Sequence, residues 1–182
     1  MANYNAIKYN GFSKGTLVLI KTLTASSSAT LSFVNGASDV VLDSTYKEYI
    51  FIFNDIHPAT DNVKFQVNFR DGGTDYDASK TTTHFRSLHY EDGTTAAEIT
   101  YLTATDLANG TGSQSIAQNI GNDNDQSAGG YLHLFNPSST TFVKHFLSRV
   151  NCNGNANYSQ EIFAAGYCNT TTAIDGVQFS MT

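Results

Sequence analysis

The chain has 182 residues, of which 40% are hydrophobic and 12% aromatic, enough apolar area for one domain core without a disulfide framework or a structural metal. Its net charge of −6 and its 10 scattered lysines and arginines argue against nucleic-acid binding, because phosphate contacts require clustered basic side chains. No run approaches about 18 consecutive apolar residues, and residues 1–15 lack a basic start followed by an apolar stretch, so we expect neither a membrane span nor a secretion signal.

Residues 1–14 differ from the rest of the chain. They are rich in Asn and Tyr and show no apolar alternation. Segments of this kind often become ordered only against a neighbour. We therefore expect an N-terminal arm at 1–14 that orders on assembly, followed by a single domain at 15–182. An ordinary frayed terminus is the alternative.

Two neighbouring segments give the clearest strand predictions. Tyr49 to Phe53 reads Tyr-Ile-Phe-Ile-Phe without alternation, which indicates a strand covered on both faces or lying at an interface. Val63 to Phe69 alternates apolar and polar residues, which indicates one core face and one solvated face. Pro58 lies between them, and since proline lacks a backbone donor, the strand ladder should end there.

Further strands are predicted wherever β-branched and aromatic residues lie between Gly, Asn and Asp turns. They lie at 16–24, 29–34, 84–90, 98–104, 113–120, 131–136, 141–150, 159–167 and 174–181. No segment repeats apolar residues with the helical period, so we expect no helix beyond one short turn near 105–108. Short strands at regular spacing predict an all-β fold, an antiparallel two-sheet sandwich of jelly-roll type with little or no helix.

The chain has two cysteines, Cys152 and Cys168, too few for a disulfide framework. Because we expect no secretion signal, the chain should be made in a reducing cytosol. We therefore expect two small buried thiols, with a single bridge as the alternative.

Two pairs of histidines are candidate zinc ligands. His84 and His89 have opposite parity on one predicted strand, which places them on opposite faces and excludes a shared metal. His133 and His145 can meet across a hairpin that turns at 136–140. Zinc requires three or four ligands, and no third ligand has a useful spacing. We therefore interpret these side chains as hydrogen-bonded or surface histidines.

Two acidic, glycine-rich loops could supply the converging oxygen ligands that calcium needs. One carries Asp71, Asp75 and Asp77, and the other carries Asp123 and Asp125. Neither has the regular ligand pattern, followed by a bidentate glutamate, that makes the calcium motif specific. Solvated turns are the more common use of such loops, so we expect neither a metal ion nor a cofactor.

The sequence contains no recognisable catalytic motif. A nucleophile elbow, a phosphate-binding loop and the metalloprotease His-Glu pattern are all missing, so we expect a protein that is not an enzyme. Rigid aromatics beside adaptable amides are typical of surfaces that contact sugars or proteins. Four tyrosines next to predicted loops are candidates for such a contact surface, with burial in the core as the alternative: Tyr76, Tyr90, Tyr101 and Tyr158.

Four stretches carry a resemblance to a known group of proteins. They are Ile-Lys-Thr-Leu-Thr-Ala-Ser at 20–26, Leu-Asp-Ser-Thr-Tyr-Lys-Glu-Tyr at 42–49, Asn-Asp-Ile-His-Pro-Ala-Thr-Asp at 54–61 and Asn-Pro-Ser-Ser-Thr at 136–140. Together they resemble small virion structural proteins and fibre domains of tailed bacteriophages, especially marine ones, over roughly residues 16–181. The resemblance implies a component of the virion that is made in the host cytoplasm.

Within a virion, the sequence favours a non-enzymatic capsid decoration or accessory subunit, because a single domain without a coiled-coil or collagen-like stem suits docking on a lattice. The alternative is a tail fibre or receptor-binding tip that recognises a host surface glycan during host attachment. A free carbohydrate-binding module and a hydrolase built on the same sandwich are further alternatives. The expected partners are capsid or tail proteins and further copies of the chain, in a homo-oligomer with a trimer favoured.

Overall fold

The structure is a computed structural model that describes residues 17–182, so the predicted arm at 1–14 lies outside the described residues. Its regular structure consists of strands and one 3-10 turn at Thr103–Thr105. The strands are β1 (Thr30–Val34), β2 (Glu48–Ile56), β3 (Val63–Arg70), β4 (Lys80–Tyr90), β5 (Ala97–Tyr101), β6 (Gln114–Ile120), β7 (Ala128–Phe135), β8 (Lys144–Gly154), β9 (Tyr158–Cys168) and β10 (Gly176–Met181). No helix among the described residues is long and apolar enough to cross a bilayer.

The strands form two antiparallel sheets packed face to face. One has the strand order β1-β10-β3-β6, and the other has the order β2-β7-β8-β9-β4-β5. The sheets meet at one corner through the single pair of Ile120 and Gly154. The chain passes from one sheet to the other at each connection except the hairpins β4–β5, β7–β8 and β8–β9. The predicted all-β antiparallel sandwich is confirmed, while the jelly-roll path stays a prediction.

Aromatic side chains on the inner faces hold the two sheets together. On β3, Phe65, Val67 and Phe69 point inward and are buried, as the alternation predicts. The ring of Phe65 lies 5.0 Å from that of Phe53 on β2, and the ring of Phe69 lies 5.0 Å from that of Phe146 on β8, measured between centroids. Burial of each such side chain contributes about 1.5 to 3 kcal/mol, so these contacts between layers are a main source of stability.

Strand β2 forms one edge of the six-stranded sheet. Its inward Tyr49, Phe51 and Phe53 are buried, but its outward Ile52 is 62% exposed. The prediction of a strand covered on both faces is therefore wrong within this chain, and an interface there stays a prediction. The strand pairs with β7 alone and runs on through a bulge to Ile56, beyond the predicted end at Phe53. Its other edge is open in the described chain.

One predicted strand does not form. The described part of the segment at 16–24 has no strand partner among residues 17–182. The edge position beside β10 is taken by β1, which begins only at Thr30. The prediction at 16–24 is therefore wrong for residues 17–24, because β-propensity alone does not provide a neighbouring strand.

Several other boundaries differ from the sequence predictions: β4 begins at 80 rather than 84, β7 begins at 128 rather than 131, and β5 ends at 101 rather than 104. In two further places side chains hold the adjoining turns. Strand β8 begins at Lys144 rather than at 141, since Ser139 Oγ accepts hydrogen bonds from the backbone amides at 141 and 142. The short turn lies at Thr103–Thr105 rather than at 105–108. Farther along, the backbone amide of Leu107 donates to Thr82 Oγ1 at 2.8 Å, which keeps the chain extended beside β4.

Two lysines are completely buried at one end of the sandwich. Lys80 and Lys144 are 0% exposed and flank Cys168 in register across β4, β9 and β8. Lys80 Nζ donates to Asn68 Oδ1 at 2.5 Å and to the carbonyl oxygen of Ala78 at 2.6 Å, and burial lowers the pKa of Lys80 to about 8. This ammonium group ties β3 to the start of β4. Both cysteines of the chain are buried and not bonded to each other.

Candidate functional site

The outer face of the six-stranded sheet carries side chains that cross all six strands in register. We call this set the outer row, and its members, in strand order, are Ile52, Tyr131, Arg149, Phe163, Phe85 and Tyr101. Exposure is 62% for Ile52, 53% for Tyr101 and 41% for Phe85. Because successive side chains of a strand point to opposite faces, these residues lie away from the core. Their apolar surface is left available for a partner.

A stack of three side chains forms the centre of the outer row. The rings of Phe163 and Phe85 lie 4.8 Å apart between centroids with an interplanar angle of 9°. Parallel rings at this distance overlap, so each covers one face of the other. On the opposite side, the guanidinium carbon of Arg149 lies 5.4 Å from the centroid of Phe163, and Arg149 Nε donates to Glu161. Both faces of the Phe163 ring are therefore occupied, and its edge faces solvent.

A second row beside the outer row deepens the surface. It contains His133, Leu147, Ala165 and Thr83 in register, and Leu147 is 50% exposed. Because Ala165 is small, the two rows enclose a shallow depression of about 420 Å³. Its lining is mainly apolar, with one histidine and one arginine. Such a surface suits the packing of a complementary apolar surface better than bond-making chemistry.

The outer face of the six-stranded sheet is close to electrically neutral. Outside the β2 bulge that holds Asp55, its outward positions hold one arginine, Arg149, and two glutamates, Glu48 and Glu161, which gives a formal charge of −1 against −6 for the chain. Both glutamates are paired, Glu161 with Arg149 and Glu48 with Nδ1 of His133. The hydrogen bond to Glu161 raises the pKa of Arg149. Repulsion between two such surfaces is therefore small.

The four tyrosines predicted as a contact surface lie at separate places. Tyr101 belongs to the outer row, and its hydroxyl donates to Asp106. Tyr158 is only 5% exposed and packs against Tyr90 with 5.0 Å between ring centroids, so its prediction as a contact residue is wrong. Tyr90 and Tyr76 are half-buried. Only Tyr101 joins the exposed face that the structure assembles.

The aspartates considered as calcium candidates do not converge. No group of three or more His, Cys, Asp or Glu side chains lies close enough to hold a metal ion within residues 17–182. Asp75, Asp77, Asp123 and Asp125 are exposed, and Asp71 is half-buried. The second loop closes as a turn, because the amide at 126 donates to the carbonyl oxygen of Asp123 at 2.8 Å. Neither loop therefore brings three acidic side chains together.

The histidines are divided between the core and the outer face. His84 is 0% exposed, whereas His89, on the same strand, points outward, in line with their opposite parity. Burial lowers the pKa of His84 to about 4. His133 and His145 both lie on the outer face of the predicted β7–β8 hairpin, where His133 bonds to Glu48. The outward histidines thus belong to the same surface as the outer row.

Sequence reasoning missed the central stack of the outer row. For Arg149 and Phe163 the alternation of the strands was a signal. Every second residue of β8 and of most of β9 is buried, and Arg149 and Phe163 lie at the positions in between, which face outward. For Phe85 the pattern was misleading. The inward positions of β4 hold polar side chains such as Lys80 and His84, so polarity alone suggests the opposite orientation of the strand.

Comparisons with protein-family models, curated proteins and solved structures found no match to the chain.

Proposed function

We propose that the protein is a non-enzymatic structural subunit of the virion of a tailed bacteriophage and that it docks through the outer face of its six-stranded sheet. The outer row carries this proposal. It places exposed apolar side chains in register across the whole sheet, at positions that the core does not use. Contiguous exposed apolar surface on a folded domain is typical of a site that contacts another protein.

The size of the outer row sets the kind of contact it can make. Burying an exposed large apolar side chain contributes about 1.5 to 3 kcal/mol, so the partly exposed members together contribute on the order of 5 kcal/mol. Association costs about 4 to 15 kcal/mol in lost freedom of motion. The outer row therefore acts as the centre of a larger interface, which in stable complexes covers about 800 Å² on each partner.

The central stack favours a protein partner over a glycan. Sugar rings stack on exposed aromatic faces, but Arg149 and Phe85 cover both faces of Phe163. The edges that remain suit packing against apolar side chains. For this reason we prefer a capsid decoration or accessory subunit to a tail fibre tip that recognises a host glycan.

Further copies of the chain are the first partners we propose for this face. Outside the β2 bulge the face has a formal charge of −1 in a chain of −6, so copies that meet there avoid most of their mutual repulsion. Closed homo-oligomers are the commonest assemblies of soluble proteins, and we favour a trimer that then docks on capsid or tail proteins. The repeated passage of the chain between the two sheets is typical of jelly rolls, a fold found in viral capsid proteins, and supports the same proposal.

Replacing Leu147 with aspartate tests the proposal. Leu147→Asp puts a charge at the centre of the depression, on a side chain that is already 50% exposed, so the monomer should fold normally. Self-association measured by sedimentation should weaken at least about tenfold, because the interface would bury an unpaired charge. The matched control is Phe142→Asp, since Phe142 is 69% exposed but lies in the turn before β8, and this variant should behave as wild type.

Two outcomes would overturn the proposal. One is a wild-type protein that stays monomeric at all concentrations and binds no purified capsid or tail component. The other is a monomer that binds a host glycan through the outer row, which would establish the alternative of a receptor-binding tip. Loss of self-association in Phe142→Asp but not in Leu147→Asp would place the interface elsewhere.

A further inference from the structure

Residues 17–25 have the composition of a strand but no regular secondary structure. The segment reads Leu-Val-Leu-Ile-Lys-Thr-Leu-Thr-Ala, a composition rich in residues that suit strands. Leu17, Val18 and Leu19 are 66%, 60% and 82% exposed. Three consecutive exposed apolar residues are unusual on a solvated surface, so this segment offers a second contact feature outside the six-stranded sheet.

The backbone of this segment also lacks hydrogen-bond partners among residues 17–182. Within residues 17–182, no strand pairs with residues 17–25, and none of their amides or carbonyls takes part in a backbone hydrogen bond. Backbone groups are strong donors and acceptors, and a neighbouring strand satisfies them together with the adjacent side chains. The segment thus has both the side chains and the open backbone of a strand that lacks a neighbour.

Half-buried side chains hold the segment to its own domain. Ile20 is half-buried and packs against the hydrophobic core, and Lys21 and Leu23 are half-buried as well. The three residues before Ile20 are exposed, as is Thr22. The position of the segment is therefore set by the domain, and a partner would meet it without first paying the full entropy of ordering a free chain.

We propose that residues 17–25 add as an extra strand to the open edge of β2 in a second copy of this chain. Among residues 17–182, strand β2 pairs with β7 alone, so within that part of the chain its other edge presents unpaired amides and carbonyls. It has nine residues and matches the length of the segment, whereas the edge strands β1 and β5 have five each. The fourth edge strand, β6, has seven residues, but it is almost wholly buried and meets β8 at Ile120. The pairing of residues 17–25 with β2 rests on the proposed self-association and specifies how the copies meet.

The charges and the exposed apolar side chain of β2 suit pairing with residues 17–25. The segment carries one charge, Lys21, and the exposed charges of β2 are both acidic, Glu48 and Asp55. The outward Ile52 of β2 is 62% exposed and is also the first member of the outer row. The added strand would therefore extend the interface that the outer row begins. Each copy donates one segment and accepts another, a head-to-tail contact that closes into a ring of three when the rotation allows it.

Hydrogen–deuterium exchange of the full chain tests this pairing. In dilute monomer the amides of residues 17–25 should exchange at close to the rate of a free peptide, since they have no backbone partner within residues 17–182. In the assembled state the amides of this segment that face β2, about every second one, should exchange at least about 100-fold more slowly, as should those on the open edge of β2. An assembly whose residues 17–25 stay unprotected, or whose protection falls on β1 or β5 instead, would overturn the inference.

Two substitutions at one position separate backbone pairing from side-chain burial. Leu19→Ala keeps the backbone donor and removes most of the apolar side chain, whereas Leu19→Pro also removes the donor and cannot continue a ladder. We expect Leu19→Pro to weaken self-association at least about tenfold more than Leu19→Ala. Both monomers should melt at the wild-type temperature, since residue 19 is 82% exposed. Equal effects of the two variants would overturn strand addition.

The outcomes for this inference and for the proposed function are distinguishable. If Leu147→Asp dissociates the assembly but residues 17–25 are never protected, the docking face stands and the strand addition fails. If the wild-type protein neither self-associates nor binds a particle component, both fail.

Discussion

Acidification should destabilise the folded chain through one buried histidine. His84 is 0% exposed, and its Nδ1 lies 2.5 Å from Thr105 Oγ1. That hydroxyl donates its own proton to the carbonyl oxygen of Leu102 at 2.8 Å, so it accepts a hydrogen bond from Nδ1–H. The unprotonated nitrogen is then Nε2, which is buried without a hydrogen-bond partner among the described residues. Protonation of Nε2 would create a buried charged donor with no acceptor.

The size of this loss of stability follows from the shift in the pKa of His84. Burial lowers this pKa from 6.5 to about 4, although the nearby Asp106 partly opposes the effect. The unfolded chain therefore takes up this proton near pH 6.5, and the folded chain takes it up only near pH 4. Between these values the unfolded state binds more protons, so stability is complete above pH 6.5 and is lost as the pH falls. At about 1.4 kcal/mol per pKa unit, the loss reaches about 3 kcal/mol near pH 4.

Urea unfolding at about pH 7 and about pH 4.5, followed by tyrosine fluorescence, measures this loss. His84→Gln cannot take up the proton, so its stability should change little over this range. The matched control is His89→Gln, which lies on the outward face of the same strand and should keep the wild-type pH dependence. Asp43 and Asp92 have a pKa lowered by hydrogen bonds from threonines and lose that contribution only below about 3.8. Equal pH dependence in wild type and His84→Gln would refute the reasoning.

Two further predictions concern the buried polar groups at the end of the sandwich. Lys80→Ala should lower the free energy of unfolding, measured in urea at neutral pH, by about 3 kcal/mol or more. The substitution leaves a cavity and removes the donor from two buried acceptors. A variant as stable as wild type would contradict this. Burial raises the pKa of Cys152 and of Cys168 to about 12, so neither thiol should react with a disulfide reagent in the native state and both should react after unfolding. Rapid labelling of either thiol in the folded protein would show that its burial is wrong.

Alternation along single strands predicted the parts of the fold that depend on residues close in sequence. The apolar positions of Val63 to Phe69 all became core positions of β3. The turn at 136–140 joined β7 and β8 as an antiparallel hairpin. Both features arise locally, from the side-chain period of two and from a short connection, and neither requires knowledge of the rest of the chain.

The candidate docking face depended on pairings between distant segments. Alternation determines which face of its own strand a residue occupies, and on that basis the sequence by itself determined the all-β class and the inward positions of β3. On β4, where buried positions are polar, polarity alone suggested the opposite orientation. Only the tertiary structure decided that Arg149, Phe163 and Phe85 stand side by side, because their strands are brought together by the register of β8, β9 and β4. It also decided that residues 17–25 have no neighbouring strand within the described part of the chain, since strand pairing depends on two segments and β-propensity on one.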